Sequence, residues 1–133
     1  MKKLVVFASM LIWGIAPLSA ADCSNADLRG VYSFVASGTF GSAAFATAGQ
    51  TTYDGKGGVT GLIRVSLGGS VTPIIAWTGN YTVDPENCTV SKTAIIPGVG
   101  TVHFFLTAAN DFKELRFIAT DPTTAITGNA RKR

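Results

Sequence analysis

The chain has 133 residues, 47% of them apolar and 14% charged, with 15 glycines and a formal net charge of +3. A charged fraction so far below the usual value of about 25% excludes a disordered chain, a coiled coil and a charge-driven nucleic-acid binder. The length predicts one domain behind any leader.

The first segment reads as a leader. Lys2 and Lys3 precede an apolar run from Leu4 to Ala16, and Pro17 to Ala21 supply a break and small residues. That is the layout of a secretory signal peptide over residues 1–21, with Ser19 and Ala21 flanking the cleavage position. The run is shorter than the roughly 20 residues that span a bilayer, which argues against a retained anchor. Asp22 separates Ala21 from Cys23, so a lipid-modified cysteine at the cleavage point is disfavoured. The short basic start is of bacterial kind. The expectation is a periplasmic or secreted protein, residues 22–133, with no membrane anchor after cleavage. Without residues 1–21, nine bases face eight acids, and three of those bases are the terminal Arg131, Lys132 and Arg133. No basic nucleic-acid surface is left.

Cys23 and Cys88 are the only cysteines. In an oxidising compartment they are expected to form a disulfide that pins the N-terminal segment to the body. A redox pair would sit at C-x-x-C spacing. A zinc site is disfavoured because His103 is the only histidine.

Period-2 patterning predicts eight strands. The first covers Gly30–Phe40, with Tyr32, Phe34, Ala36 and Gly38 on one face, and Gly41-Ser42 turns the chain. The second covers Ala44–Tyr53, and Asp54-Gly55-Lys56-Gly57-Gly58 is a hairpin turn by its Asp-Gly chemistry. The third, Val59–Leu67, ends at Gly68-Gly69-Ser70. The fourth, Val71–Val83, sets Ile75, Trp77, Gly79, Tyr81 and Val83 on one face, and its Pro73 requires an edge, a bulge or a strand start. Asp84 to Asn87 then leads to Cys88–Ile96, and Pro97-Gly98 leads to Val99–Thr107. Ala109-Asn110-Asp111 precedes Lys113–Thr120, and Asp121-Pro122 precedes Thr124–Lys132.

Short connections between eight strands predict an all-β, up-and-down antiparallel meander. Closing it into a single eight-stranded barrel removes two edges and encloses the apolar face. The mid-strand glycines Gly38, Gly49, Gly61, Gly79 and Gly128 suit the coiling of a small barrel. A β-sandwich is the alternative. An outer-membrane barrel is a third option, disfavoured because the aromatic face is more simply the inner one.

Gly30-Val31-Tyr32-Ser33-Phe34, Tyr53-Asp54-Gly55-Lys56-Gly57, Thr78 to Val83 with Cys88, and Glu114 to Ile118 with Thr120-Asp121 recur in this order in a group that the chain resembles. That group consists of small secreted bacterial proteins of unknown function. More loosely, the pattern is similar to the calycins (lipocalins and avidins) and to allene oxide cyclase-like barrels. Gly30-Val31-Tyr32 resembles the Gly-x-Trp start of a calycin, with Tyr for Trp. The resemblance implies a barrel that holds a small apolar ligand.

Signals for catalysis are sparse. No Gly-x-Ser-x-Gly elbow is present. His103 reads as a strand histidine satisfied by a neighbour or by water. Asp54, Asp84, Glu86, Asp111 and Asp121 fall in turns, where Asp is a turn former. Glu114 shares a strand face with Arg116, which predicts a surface ion pair. No metal or other cofactor is expected.

The aromatic face reads first as a side-chain-filled core, since small eight-stranded barrels often lack a cavity. If a cavity exists, Trp77, Tyr81, Tyr32, Phe34 and Phe104 are the best residues for its wall. On the other face, Leu62, Ile74, Ile95, Phe105 and Ile118 are expected outside, where clustering would support a homo-oligomer through the outer barrel wall. The leading reading is a non-enzymatic barrel that binds a small apolar ligand or a protein partner. A cyclase or isomerase that uses an apolar cavity with few polar groups such as Tyr32, Tyr81 or Glu114 is the second. A filled-core structural protein is the third.

Overall fold

The computed structural model describes residues 22–133, and the leader expected over residues 1–21 lies outside them. One turn of 3-10 helix, Asn25–Asp27, leads into nine strands. They are β1 (Arg29–Phe40), β2 (Ala43–Asp54), β3 (Gly58–Leu67), β4 (Ser70–Val71), β5 (Ile75–Val83), β6 (Val90–Ile96), β7 (Gly100–Ala109), β8 (Glu114–Ala119) and β9 (Thr124–Lys132). Every pairing is antiparallel, and the ring runs β1-β2-β3-β5-β6-β7-β8-β9. β1 and β9 close it, from Tyr32 opposite Lys132 to Phe40 opposite Thr124. Each ring strand has two neighbours, so the barrel replaces the sandwich alternative. β4 is bonded to β3 alone, outside the ring.

The fourth predicted strand is broken, and Pro73 is the reason. Proline gives a ladder no N–H. The chain leaves the sheet at Thr72, whose groups stand in for a strand partner. Thr72 N donates to Val65 O at 2.8 Å, and Val65 N donates to Thr72 Oγ1 at 3.0 Å. The fifth predicted strand begins at Val90 instead of Cys88. Cys88 sits at φ 59°, in the left-handed region, and its N donates back to Asp84 O. The turn after β7 carries three consecutive left-handed residues, Asn110, Asp111 and Phe112, so β8 starts at Glu114.

The aromatic face points inward. Tyr32, Tyr53, Trp77, Tyr81, Leu106, Leu115 and Ile126 are all buried. At inward glycines the neighbouring backbone comes too close for a side chain. A Cβ on Gly79 would lie 1.9 Å from Thr93 O, and one on Gly38 would lie 1.7 Å from Ala125 O. These glycines let the strands coil tightly enough to close eight of them.

One end of the barrel is stopped by the N-terminal segment. Leu28 is fully buried there. Tyr81 Oη donates to Leu28 O at 2.7 Å, and Val83 N donates to Asn25 Oδ1 at 2.8 Å. The Cys23–Cys88 disulfide ties this plug to the β5–β6 connection.

The outer faces are largely hydroxyl, amide and charged, as in Thr78, Asn80 and Thr82 of β5 and Thr127, Asn129 and Arg131 of β9. Leu62, Ile74, Ile95, Phe105 and Ile118 lie outside and exposed, together with Val35 and Val71. Phe105 and Ile118 are cross-strand partners. No helix among the described residues is long and apolar enough to cross a membrane.

Candidate functional site

Alternation on β6 turns Val90, Lys92, Ala94 and Ile96 toward the axis, so one lysine enters an apolar interior. Its Nζ lies 4.9 Å from the Trp77 ring centroid, 5.2 Å from that of Tyr53 and 5.8 Å from that of Phe104. These rings come from β5, β2 and β7. Nζ donates one hydrogen bond, to Tyr53 Oη at 3.1 Å. Among the described residues the one ion pair is His103 with Asp121, so Lys92 has no carboxylate within reach. Burial pushes the Lys92 ammonium down to about 7, because a low-polarity site disfavours the charged form. The rings offset part of that cost through cation–π attraction, about 1–2 kcal/mol for a desolvated contact.

This amine lines an internal cavity of about 50 Å³. Phe34, Phe104 and Phe117 form one side, packed edge to face with ring centroids 5.5 and 6.2 Å apart. Ile63, Trp77, Ala94 and Val102 contribute further apolar wall, and Thr51 brings a buried hydroxyl. The lining extends to Phe45, Ile96 and Val99 at the end opposite the plug. The volume has room for roughly three to five water-sized spheres. It suits a small molecule of few atoms.

The Trp77 indole lies across Gly61, where a Cβ would come within 2.4 Å of its Cε2 and Nε1. Trp77 Nε1 is buried with no hydrogen-bond partner among the described residues. An unpaired buried N–H is costly, and native structures hold few of them. The polar groups of this interior that lack a partner are therefore donors: the indole N–H and the remaining N–H groups of the ammonium.

The five residues predicted as ligand wall divide between two levels. Phe34, Trp77 and Phe104 line the cavity. Tyr32 and Tyr81 lie beneath it in a stack with Tyr53, at centroid distances of 5.3 and 5.1 Å. Their hydroxyls are taken up by backbone: Tyr32 Oη bonds Phe112 O, and Tyr81 Oη bonds Asn25 O and Leu28 O. Burial raises the phenols of Tyr53, Tyr32 and Tyr81, with Tyr32 at about 12. They stay neutral around pH 7.

Sequence reasoning singled out no role for Lys92. The signal was present in its parity, since it shares its strand face with Val90, Ala94 and Ile96.

The remaining candidates lie outside the barrel. His103 Nδ1 is 2.7 Å from Asp121 Oδ1, and His103 N donates to Asp121 Oδ2 at 2.7 Å, so the histidine is satisfied by a neighbour. Burial works to raise the Asp121 carboxyl, but the bonds from His103 outweigh it and hold it below the usual range. Glu114 makes no ion pair with Arg116 and accepts instead from Asn110 Nδ2 at 2.6 Å. The Asp54 carboxylate accepts from Lys56 N and Gly58 N at 2.7 and 2.9 Å. Those bonds close the β2–β3 turn and lower its carboxyl. No group of three or more possible metal-ligating side chains occurs among the described residues.

No family model matches the chain, and no curated protein matches it. A solved structure, EF1p2_mFAP2b bound to DFHBI, has the same fold. It superposes with a TM-score of 0.60 over 80% of this chain and 94% of that one, at 12% identity. At that identity the likeness is one of fold, a closed eight-stranded antiparallel barrel.

Proposed function

We propose that the protein is a secreted or periplasmic barrel, freed of residues 1–21, that binds a small, mainly apolar ligand in its interior without transforming it. The observation that carries this reading is the lined cavity of about 50 Å³ above a plugged barrel end. A filled core would leave no such space. That the barrel of similar fold is bound to DFHBI supports the reading by analogy of architecture. The disulfide fits an oxidising compartment.

The cyclase or isomerase alternative calls for a polar group inside the cavity, and Lys92 beside Tyr53 meets that condition. Such chemistry needs an acid and a base matched to the working pH. Burial makes the Tyr53 phenol a weaker acid than an ordinary tyrosine, so the pair supplies a base without a matched acid. Binding is the better-supported reading.

The test uses the chain beginning at Asp22, in which Trp77 is the one tryptophan. Its fluorescence is followed while aliphatic compounds of a few heavy atoms are titrated in. A saturable change, absent when Ala94→Leu fills the cavity, is the expected result. An emission spectrum that no compound alters would overturn the reading in favour of a closed core.

A further inference from the structure

We propose that the barrel interior takes a small carboxylic acid as its anion, with the carboxylate on the Lys92 ammonium and the apolar body against Phe34, Trp77 and Phe104. This rests on the interior-binding reading above and names the ligand class it leaves open.

Three observations converge on it. The first is charge. Lys92 is the one ionisable cation lining the cavity, and no acidic residue lines it. All eight carboxylates of the chain lie among the described residues, and none of them is buried. Lys92 is half-buried by surface exposure with its Nζ among the rings, and a carboxylate partner for it would have to come from outside the protein. Buried charges are normally paired, and a lone one is a standing cost.

The second is hydrogen-bond capacity. An ammonium has three donors. One goes to Tyr53 Oη, and the others have no acceptor among the described residues. Trp77, whose ring lies 4.9 Å from Nζ, adds a donor-only indole N–H that is also unpartnered. A set rich in free donors selects an acceptor-only head, and an ionised carboxylate is acceptor-only.

The third is shape. Rings from three strands wall in the amine, and the rest of the lining is nearly all apolar. The head is thus small and the body hydrophobic. A phosphate, with more charge and more acceptors than this corner has donors, is disfavoured.

The experiment compares acids with their neutral amides. Acetate and acetamide, and propanoate and propanamide, are titrated calorimetrically into the purified protein at pH 6 and pH 8.5. The titratable groups facing Lys92 are the phenols of Tyr53, across the barrel on β2, and of Tyr81 on the neighbouring β5, both raised by burial and neutral over this range. His103 on β7 faces outward to Asp121. Lys92 is thus the interior group that titrates. With its ammonium at about 7 in the empty barrel, acid binding at pH 8.5 must take up a proton. It is expected to be about 30-fold weaker than at pH 6, while amide binding is unchanged. At pH 6 the acid is expected to bind at least tenfold more tightly than its amide, and Lys92→Met is expected to abolish that preference while the amide still binds.

Equal binding of acid and amide to the unaltered protein, or acid binding that ignores pH, would overturn this proposal and leave the interior-binding reading standing. Binding of neither compound would overturn both. The comparison within the unaltered protein decides the matter even if Lys92→Met folds poorly.

Discussion

Placing one ammonium among three rings ties the stability of the barrel to pH. The folded state holds Lys92 near 7, against an ordinary value of 10.5. Between those values the unfolded chain binds a proton that the folded barrel does not, so stability rises with pH by about 1.4 kcal/mol per unit. Below pH 7 both states are protonated, and the penalty is present in full. The raised phenols act in the opposite direction, but only above pH 10, where an unfolded tyrosine begins to ionise. Urea unfolding is therefore expected to show a gain of about 2 kcal/mol between pH 7.5 and pH 9. Lys92→Met removes the titrating group. It is expected to flatten this dependence and to stabilise the protein at pH 6 by about 2 kcal/mol or more. At this scale the sequence was legible by parity for Tyr32, Trp77 and Tyr81. That reading was not applied to Lys92, whose inward parity is the same. A lysine at the second place of an otherwise inward apolar set is a stronger signal than its hydrophilicity suggests.

At the scale of elements, the strands follow from alternation and turn chemistry. Asp54-Gly55 makes the hairpin it predicts, with the carboxylate bonded to Lys56 N and Gly58 N. The break at Pro73 was legible as a constraint but not as a position, because its resolution depends on the Thr72 hydroxyl meeting Val65 N across the sheet. The plug is the element with least local signal. Residues 22–28 have no strand pattern, and their place comes from tertiary bonds to Tyr81 and Val83. The cysteine pair alone announced that the segment returns to the body. The disulfide closes 65 residues, and in the chain-entropy model that constraint is worth about 4 kcal/mol. Reduction, or Cys23→Ala with Cys88→Ala, is expected to lower the unfolding free energy by roughly that amount. Urea titrations with and without reductant measure it. Because the plug packs Leu28 under Tyr81, the loss is expected to exceed that of a surface staple, which would leave the core unchanged.

At the scale of the whole molecule, closure is the property that separates this fold from an open sheet. The eight-strand meander was legible as a barrel because an open form leaves two edges unpaired. The cavity was not legible, since a few ångströms of ring packing decide between hollow and filled at this strand number. Closure rests on the seam between β1 and β9, and that seam is testable with proline. Arg133 N donates to Val31 O and Gly41 N to Thr123 O, which sets the phase of the seam ladder. Partners two residues apart share that phase, so Thr127, opposite Ser37, also exchanges bonds across the seam. Thr127 is exposed, and replacing it leaves the core untouched. On an open β9 edge its N–H would face water and proline would be tolerated. In the closed ring Thr127→Pro removes a paired donor and is expected to cost about 2–4 kcal/mol. Val71→Pro is the control. Val71 belongs to β4 outside the ring, is 60% exposed, and lies between Ser70 and Thr72, whose phase turns its own N–H away from β3. That substitution is expected to cost less than about 1 kcal/mol. Equal, small effects of the two prolines in urea unfolding would mean that the seam is open in solution. A large effect at Thr127 alone is what a ring without edges requires.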